Sequence, residues 1–258
     1  MVTSAHKALP SYSQGALVLA RTVLLDHVRL DRGFEATHTT SPAASIMASI
    51  DAARALLARE GVHLCTRLLR NVAAAKKRLT QVPGVQVLDG PGVEPTKLVI
   101  LLAGTGASGI AVSMDLWAAG IPVEMAERDM IVPVVTIADD EKTVARFTEE
   151  CILSIQRRRT LPRPMSAVGF RMDVPEVVLS PREAFFAPAE AVSISVAIGR
   201  VSAELIAAFP PGIPLLAPGE RVTRRIIDAL RAILSEGGRI AYAADLNLES
   251  IRVVRPNF

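Results

Sequence analysis

The stretch from Pro42 to Leu79 restricts the fold more than any other part of the chain, because apolar residues recur along it at helical spacing. Ile46, Ile50, Ala53 and Leu57 fall on one face, so that face is expected to be buried. Thr39-Thr40-Ser41-Pro42 supplies the start: hydroxyl residues at the cap and proline at the first helical position. Gly61 breaks the pattern, which predicts a second helix from about Val62 to Leu79. Two long helices followed by Pro83-Gly84 read as the end of one domain.

The flanking segments follow other periods. Residues 16–20 are a short apolar run that fits a buried strand, and 24–34 fits a short helix ending near Gly33. From Val85 the pattern turns to alternating strands and helices. Strands are expected at Val85-Gln86-Val87-Leu88, 98–102, 122–124 and 131–137, and a helix at 108–119 stopped by Gly120. Asp139 or Asp140 caps a further helix reaching about Arg158. Residues 160–175 form a proline-marked linker. Beyond it, Ser180-Pro181, Pro210-Pro211-Gly212 and Pro218-Gly219 mark turns, with a short strand at 213–216. Glu220 to Leu234 fits an amphipathic helix ended by Gly237-Gly238.

Composition narrows the class. Half of the 258 residues are apolar and 21% are charged, a balance that suits a globular protein large enough for two domains. The net charge is only +3, and the clusters Lys76-Lys77-Arg78 and Arg157-Arg158-Arg159 close helical patterns with no aromatic platform among them. They read as solvated helix ends, so no nucleic-acid partner is expected. Cys65 and Cys151 lack metal-ligand spacing and stand in apolar helical contexts, which predicts two buried free thiols and no metal. Lys7 and Pro10 interrupt what would be the apolar core of a signal peptide, and no apolar run is long enough for a bilayer. The expectation is a cytoplasmic protein without a membrane partner.

Three separated blocks then agree in order and character. Ser4-Ala5-His6-Lys7 is followed by Thr39-Thr40-Ser41-Pro42 with Met47-Ala48-Ser49-Ile50-Asp51. Pro181-Arg182-Glu183-Ala184-Phe185-Phe186, Ala197-Ile198-Gly199-Arg200 and Pro210-Pro211-Gly212-Ile213-Pro214 complete the set. Together they resemble the bacterial ornithine/lysine/arginine decarboxylases, enzymes dependent on pyridoxal 5'-phosphate (PLP) with the aspartate-aminotransferase fold. The resemblance implies an α/β to α+β chain: a partial PLP fold type I large domain followed by small α+β domains. Residues 1–82 would be the end of the cofactor domain, 83–159 a small α+β domain, 160–175 a linker, and 176–258 the family's C-terminal domain.

The same resemblance assigns roles. Lys7 matches the Schiff-base lysine, and with His6 it is the candidate to return a proton to the substrate α-carbon. Ser4 and His6 match neighbours that reach the cofactor phosphate or the reacting amine. Thr39, Thr40 and Ser41 match a helix start that approaches the active site from the neighbouring subunit. Hydroxyls and free amides there make an anion site, while read by themselves they are only a cap. Glu124 matches an acidic position facing the distal cation of the substrate, with plain surface glutamate as the alternative. Glu220 is read as a helix-terminus carboxylate favoured by the dipole, and 210–214 as a structural turn. A basic amino acid as substrate and a homodimer or higher homo-oligomer follow from the family.

Departures accompany these matches. Ala43-Ala44 stands where the family has a serine or an aromatic, and Ala5 and Ala8 where threonines are expected. Only six residues precede Lys7, whereas the family places its lysine well inside the chain, so the sequence reads as the C-terminal part of the enzyme. Decarboxylation of arginine or lysine, with ornithine third, is the first functional expectation. A non-catalytic remnant, or one half of a split enzyme completed by a separate chain, is the alternative. Residues 16–20 and the helix from Pro42 are expected to leave an apolar surface uncovered.

Overall fold

The computed structural model describes residues 1–21, 23–165, 175–209, 212–235 and 237–256. They divide into two compact units.

The first unit comprises Met1–Lys77, Gly92–Lys97 and Val135–Arg146. It opens with strand β1 (Val2–Ser4), the single-turn helix α1 (Ala5–Ala8) and strand β2 (Ala16–Val18). The two strands pair antiparallel, Val2 opposite Val18 and Ser4 opposite Ala16, and the Met1 amino group donates to the Leu19 carbonyl. The run 16–20 is therefore a strand but not a buried one: Val18 and Leu19 are exposed, because this two-stranded ribbon has no helix or second sheet lying on both its faces.

Helix α2 (His27–Thr37) continues past Gly33, whose position meets open space, and starts at Asp26, whose carboxylate accepts from the Val28 and Arg29 amides. Helix α3 (Ala44–Leu79) corrects two expectations. It is one helix of 36 residues, about 54 Å long, rather than two. Gly61 costs about 1 kcal/mol in a helix interior, which the long-chain residues on either side outweigh. It also begins later than Pro42. The Ala43 carbonyl accepts from Ile46 and Met47, while the Thr39 hydroxyl turns back to the Ser41 amide and caps no helix. Ile46, Ile50 and Leu57 are half-buried and Ala53 buried on the face read from the sequence. Further along, Leu64, Leu68, Val72, Ala75 and Leu79 form a fully helical buried stripe. Cys65 lies one residue, about 100°, off that stripe and is exposed, contrary to the expectation of two buried thiols.

The second unit comprises Arg78–Pro91, Leu98–Val134 and Phe147–Phe258. Its first part is a four-stranded antiparallel sheet in the order β3-β4-β6-β5, from β3 (Gln86–Val87), β4 (Ile100–Leu101), β5 (Met125–Glu127) and β6 (Met130–Val132). Helix α4 (Gly109–Ala118) packs on β5 and β6. The strand expected at 122–124 lies instead at 125–127. Pro122 has no amide to donate, and the Ile121 amide is held by the Leu116 carbonyl at the end of α4. Helix α5 (Glu141–Arg157) has the cap read from the sequence: the Asp140 carboxylate accepts from the Thr143 amide at 2.8 Å. Phe147, Cys151 and Ile155 are its buried face.

Asp115 on α4 ties that helix to α5, accepting from the Ser154 hydroxyl at 2.7 Å and from two nitrogens of Arg158 at 2.7 and 3.1 Å. Residues 160–163, read as linker, are strapped to the sheet end. Arg163 reaches Asp129 and the carbonyls of Gly106, Ala107 and Arg128. The rest of the expected linker, 166–174, lies outside the described residues, as do Pro210 and Pro211.

The remainder is α+β. Helix α6 (Pro181–Phe186) starts with a capping box between Ser180 and Glu183. Strand β7 (Ala189–Ser193), helix α7 (Ile194–Ala197), strands β8 (Ile206–Phe209) and β9 (Pro214–Leu216), helix α8 (Arg224–Ser235), and strands β10 (Arg239–Ala241) and β11 (Ser250–Val254) complete it. They form a β11-β7 pair and a β10-β8-β9 sheet around Ile206, Leu216, Ile226, Ile227, Leu230 and Ile251. Glu220 is not at a helix terminus, which corrects its reading. It bridges to Val177 and bonds the Ala217 amide, and the helix waits for Thr223 to cap Ile226. Gly219 is required in that turn, since its φ is +93° and a Cβ would stand 2.2 Å from the Leu179 carbonyl oxygen.

Two outcomes follow. Arg158 and Ser154 hold the Asp115 carboxyl well below the usual range, at about 2. A carboxyl depressed in the fold stabilises above its unfolded pKa, about 4, and loses that contribution as pH falls towards 2. Asp115→Asn should therefore lower stability by about 1–2 kcal/mol at pH 7 and remove the part of the acid-unfolding limb between pH 4 and 2, read by denaturant titration at each pH. Burial pushes the Cys151 thiol up to about 12. Native alkylation followed by peptide mass spectrometry should label Cys65 alone, with Cys151 reacting only on unfolding.

Candidate functional site

A single-turn helix makes too few internal bonds to hold its own direction, so the placement of Lys7 rests on what surrounds α1. Ala5 is completely buried and its amide donates to the Gly15 carbonyl at 2.8 Å. The same carbonyl oxygen lies 2.8 Å from His6 Nδ1. A carbonyl only accepts, so Nδ1 carries the proton shared with it, and Nε2 makes no hydrogen bond among the described residues. The Gly15 amide in turn donates to the Tyr12 carbonyl at 3.1 Å, closing a turn in which Gln14 has φ +72°. A Cβ at Gly15 would stand 2.9 Å from Ser11 Oγ and 3.0 Å from the Tyr12 carbonyl oxygen, so a larger residue there would have to displace the Ser11 hydroxyl and press on the turn.

The result is a half-buried imidazole beside an exposed lysine. Among the described residues Lys7 makes no hydrogen bond or ion pair, and its ε-amine is accessible. Ser4 precedes α1, is exposed, and its side chain makes no capping bond. Ser4, His6 and Lys7 are thus brought together on one turn. Thr39, Thr40 and Ser41 lie in the same unit, exposed in the segment joining α2 to α3, and no hydrogen bond links them to α1 among the described residues. This donor set suits PLP: an accessible amine for its aldehyde, and side-chain hydroxyls, with His6 Nε2 when it is protonated, as donors to its phosphate oxygens. No cluster of three His, Cys, Asp or Glu residues fit for a metal occurs among the described residues.

Glu124 belongs to the second unit. It is exposed at a cleft of about 400 Å³ lined by Ile110, Met114, Trp117, Phe209 and Arg239. The Arg239 guanidinium stands 5.8 Å from the centre of the Phe209 ring. A carboxylate beside two exposed aromatic residues can hold an organic cation. Glu127 on β5 has its carboxyl raised, by burial first and by Asp129 second. That Phe209 and Arg239 would meet Glu124 was not readable from the sequence, since they are distant along the chain. The parts of the Lys7 loop were nearer to hand, because Gln14 and Gly15 follow the Lys7 block closely in the chain and Ser49 lies inside a block singled out from the sequence.

Comparisons with known proteins extend these observations. Residues 1–97 match the model of the Orn/Lys/Arg decarboxylase major domain, and residues 165–239 that of the Orn/Lys/Arg decarboxylase C-terminal domain. The major-domain match corrects the description of the chain as the family's C-terminal part. Arginine decarboxylase of Bacillus subtilis is 29% identical over 264 residues, 98% of this chain and 54% of the relative. Arginine decarboxylase of Bacillus anthracis is 26% identical over 269 residues, 98% of this chain and 53% of the relative. The fold is that of the lysine decarboxylases of Francisella novicida (TM-score 0.79, 18% identity) and of Escherichia coli, constitutive form (TM-score 0.79, 20% identity). Each covers 98% of this chain and 48% or 49% of the other. The chain spans about half the length of the relatives it matches. Among the described residues no helix is long and apolar enough to cross a membrane.

Proposed function

We propose a catalytic role for a chain that belongs to the Orn/Lys/Arg decarboxylase family: the decarboxylation of a basic amino acid, arginine first, with PLP as cofactor. The observation that carries this reading is the accessible Lys7 amine on α1, beside an imidazole whose Nδ1–H is committed to Gly15. The preference for arginine rests on the relatives. Those named arginine decarboxylase align with 84–98% of the chain, whereas the constitutive lysine decarboxylase of Escherichia coli aligns by sequence with 25%.

PLP supplies an aldehyde that takes up amines and a conjugated ring that accepts the electron pair left when carbon dioxide departs. Lys7 is the residue that would hold it. The Lys7 ε-amine, when not joined to the cofactor, would be the group to deliver a proton to the α-carbon, with His6 the second candidate once its Nε2 also carries a proton. Ser4 and His6 would hold the phosphate, joined by Thr39, Thr40 and Ser41 supplied by the neighbouring subunit of a homodimer or higher oligomer. Glu124 binds the distal guanidinium or ammonium, and the Trp117 face adds a cation–π contact. In this reading residues 1–82 belong to a large domain of PLP fold type I, 83–159 to a small domain, and 176–258 to the C-terminal domain, in a cytoplasmic enzyme.

A second reading is favoured by the apolar side chains that the first unit leaves exposed, Val18, Leu19, Val23, Leu24, Val28 and Phe34. A surface of this kind fits a chain that works only with another polypeptide against it.

Incubation with PLP, borohydride reduction and peptide mapping separates the readings. A reduced adduct on Lys7, absent from Lys7→Ala, supports the first. An adduct formed only when a second polypeptide is present supports the second, and an adduct on other lysines with none on Lys7 overturns both. Loss of the Glu124 charge should act on binding: Glu124→Gln is expected to raise KM for arginine about tenfold with kcat within about twofold.

A further inference from the structure

The turn that carries Lys7 is connected to the long helix by an unbroken series of hydrogen bonds. Ser49, on the half-buried face of α3, donates its hydroxyl proton to the Ile46 carbonyl at 2.7 Å. That commitment turns a lone pair of Ser49 Oγ outward, and the Tyr12 amide donates to it at 3.0 Å. The Tyr12 carbonyl accepts from the Gly15 amide, and the Gly15 carbonyl accepts from the Ala5 amide and His6 Nδ1. Three links thus run from a rigid helix to the residue preceding Lys7. Among the described residues, Tyr12 to Ser49 is the hydrogen bond that joins residues 1–21 to α3.

Two further observations say that this tie holds something that would otherwise move. Gln14 sits at φ +72°, a conformation L-residues other than glycine avoid, and such a residue persists where its surroundings over-determine it. Helix α1 has a single turn and no side-chain cap. At Gly15 the turn also approaches α3 at Ile50, one residue after Ser49, whose Cγ1 would lie 3.3 Å from an added Cβ.

We propose that Ser49 is a positioning residue for Lys7: it fixes the Tyr12–Gly15 turn, and through the Gly15 carbonyl it sets the orientation of His6 and the base of the Lys7 side chain. The proposal rests on the reading of Lys7 as the PLP-holding lysine. Alanine is the best helix former, so Ser49→Ala keeps α3 and removes only the acceptor. Ser49→Thr keeps a hydroxyl able to bond the carbonyl one turn back.

The test uses the whole chain with two readouts. Amide hydrogen exchange is followed at Ala5, Tyr12 and Gly15, and the rate of borohydride-fixed PLP adduct formation on Lys7 is measured by peptide mass. Ser49→Ala should exchange these amides about three- to tenfold faster, form the adduct slower by a similar factor, and melt at the wild-type temperature. Ser49→Thr should restore both. Wild-type adduct formation that Ser49→Ala leaves unchanged overturns the positioning role, whether or not exchange quickens. A wild-type chain that forms no adduct on Lys7 overturns the reading beneath it.

Discussion

The Gly15 carbonyl accepts two hydrogens, one from the Ala5 amide and one from the His6 ring, and the geometry of the candidate site hangs on that shared acceptor. It closes the connection between β1 and β2 and orients a helix too short to orient itself. It also decides which imidazole nitrogen is available. A side chain in place of the glycine would crowd Ser11 and Tyr12. Sequence, turn, ring tautomer and the exposure of the neighbouring lysine are therefore links of one argument.

Fixed charges do comparable work in the second unit. Asp115 joins α4 to α5 through Arg158 and Ser154, and Arg163 gathers Asp129 with three carbonyls at the sheet end. Glu204, nearly buried, accepts from the Ala244 and Arg252 amides at 2.6 Å each and needs no cation to satisfy it. The Glu204 carboxylate thus substitutes for backbone partners that short strands leave unpaired. These contacts frame the strand and helix that bear the Glu124 cleft.

Much of this was legible in the sequence, and the exceptions have physical causes. The α5 cap at Asp140, the stop of α4 before Gly120 and the amphipathic face of α8 were readable because they are local. Gly61 misled because one unfavourable residue was weighed without the long stretch around it. The hydroxyls at 39–41 misled because a capping sequence can bond itself, as Thr39 does with Ser41, and leave the helix to start later. The burial expected of residues 16–20 failed because hydrophobicity shows what a strand would bury, not whether anything covers it. In the site, residue types at Ser4, His6 and Lys7 were visible at once. The Ser49 tie and the meeting of Phe209 and Arg239 with Glu124 depend on contacts far apart in the chain, which no periodicity records.

Release of labelled carbon dioxide from carboxyl-labelled arginine, compared with lysine and ornithine, tests the central claim most directly. With PLP present, the account predicts carbon dioxide and the corresponding amine in equal amounts, fastest from arginine. Keto-acid formation without carbon dioxide, or no turnover by a chain whose Lys7 has taken up the cofactor, would contradict it.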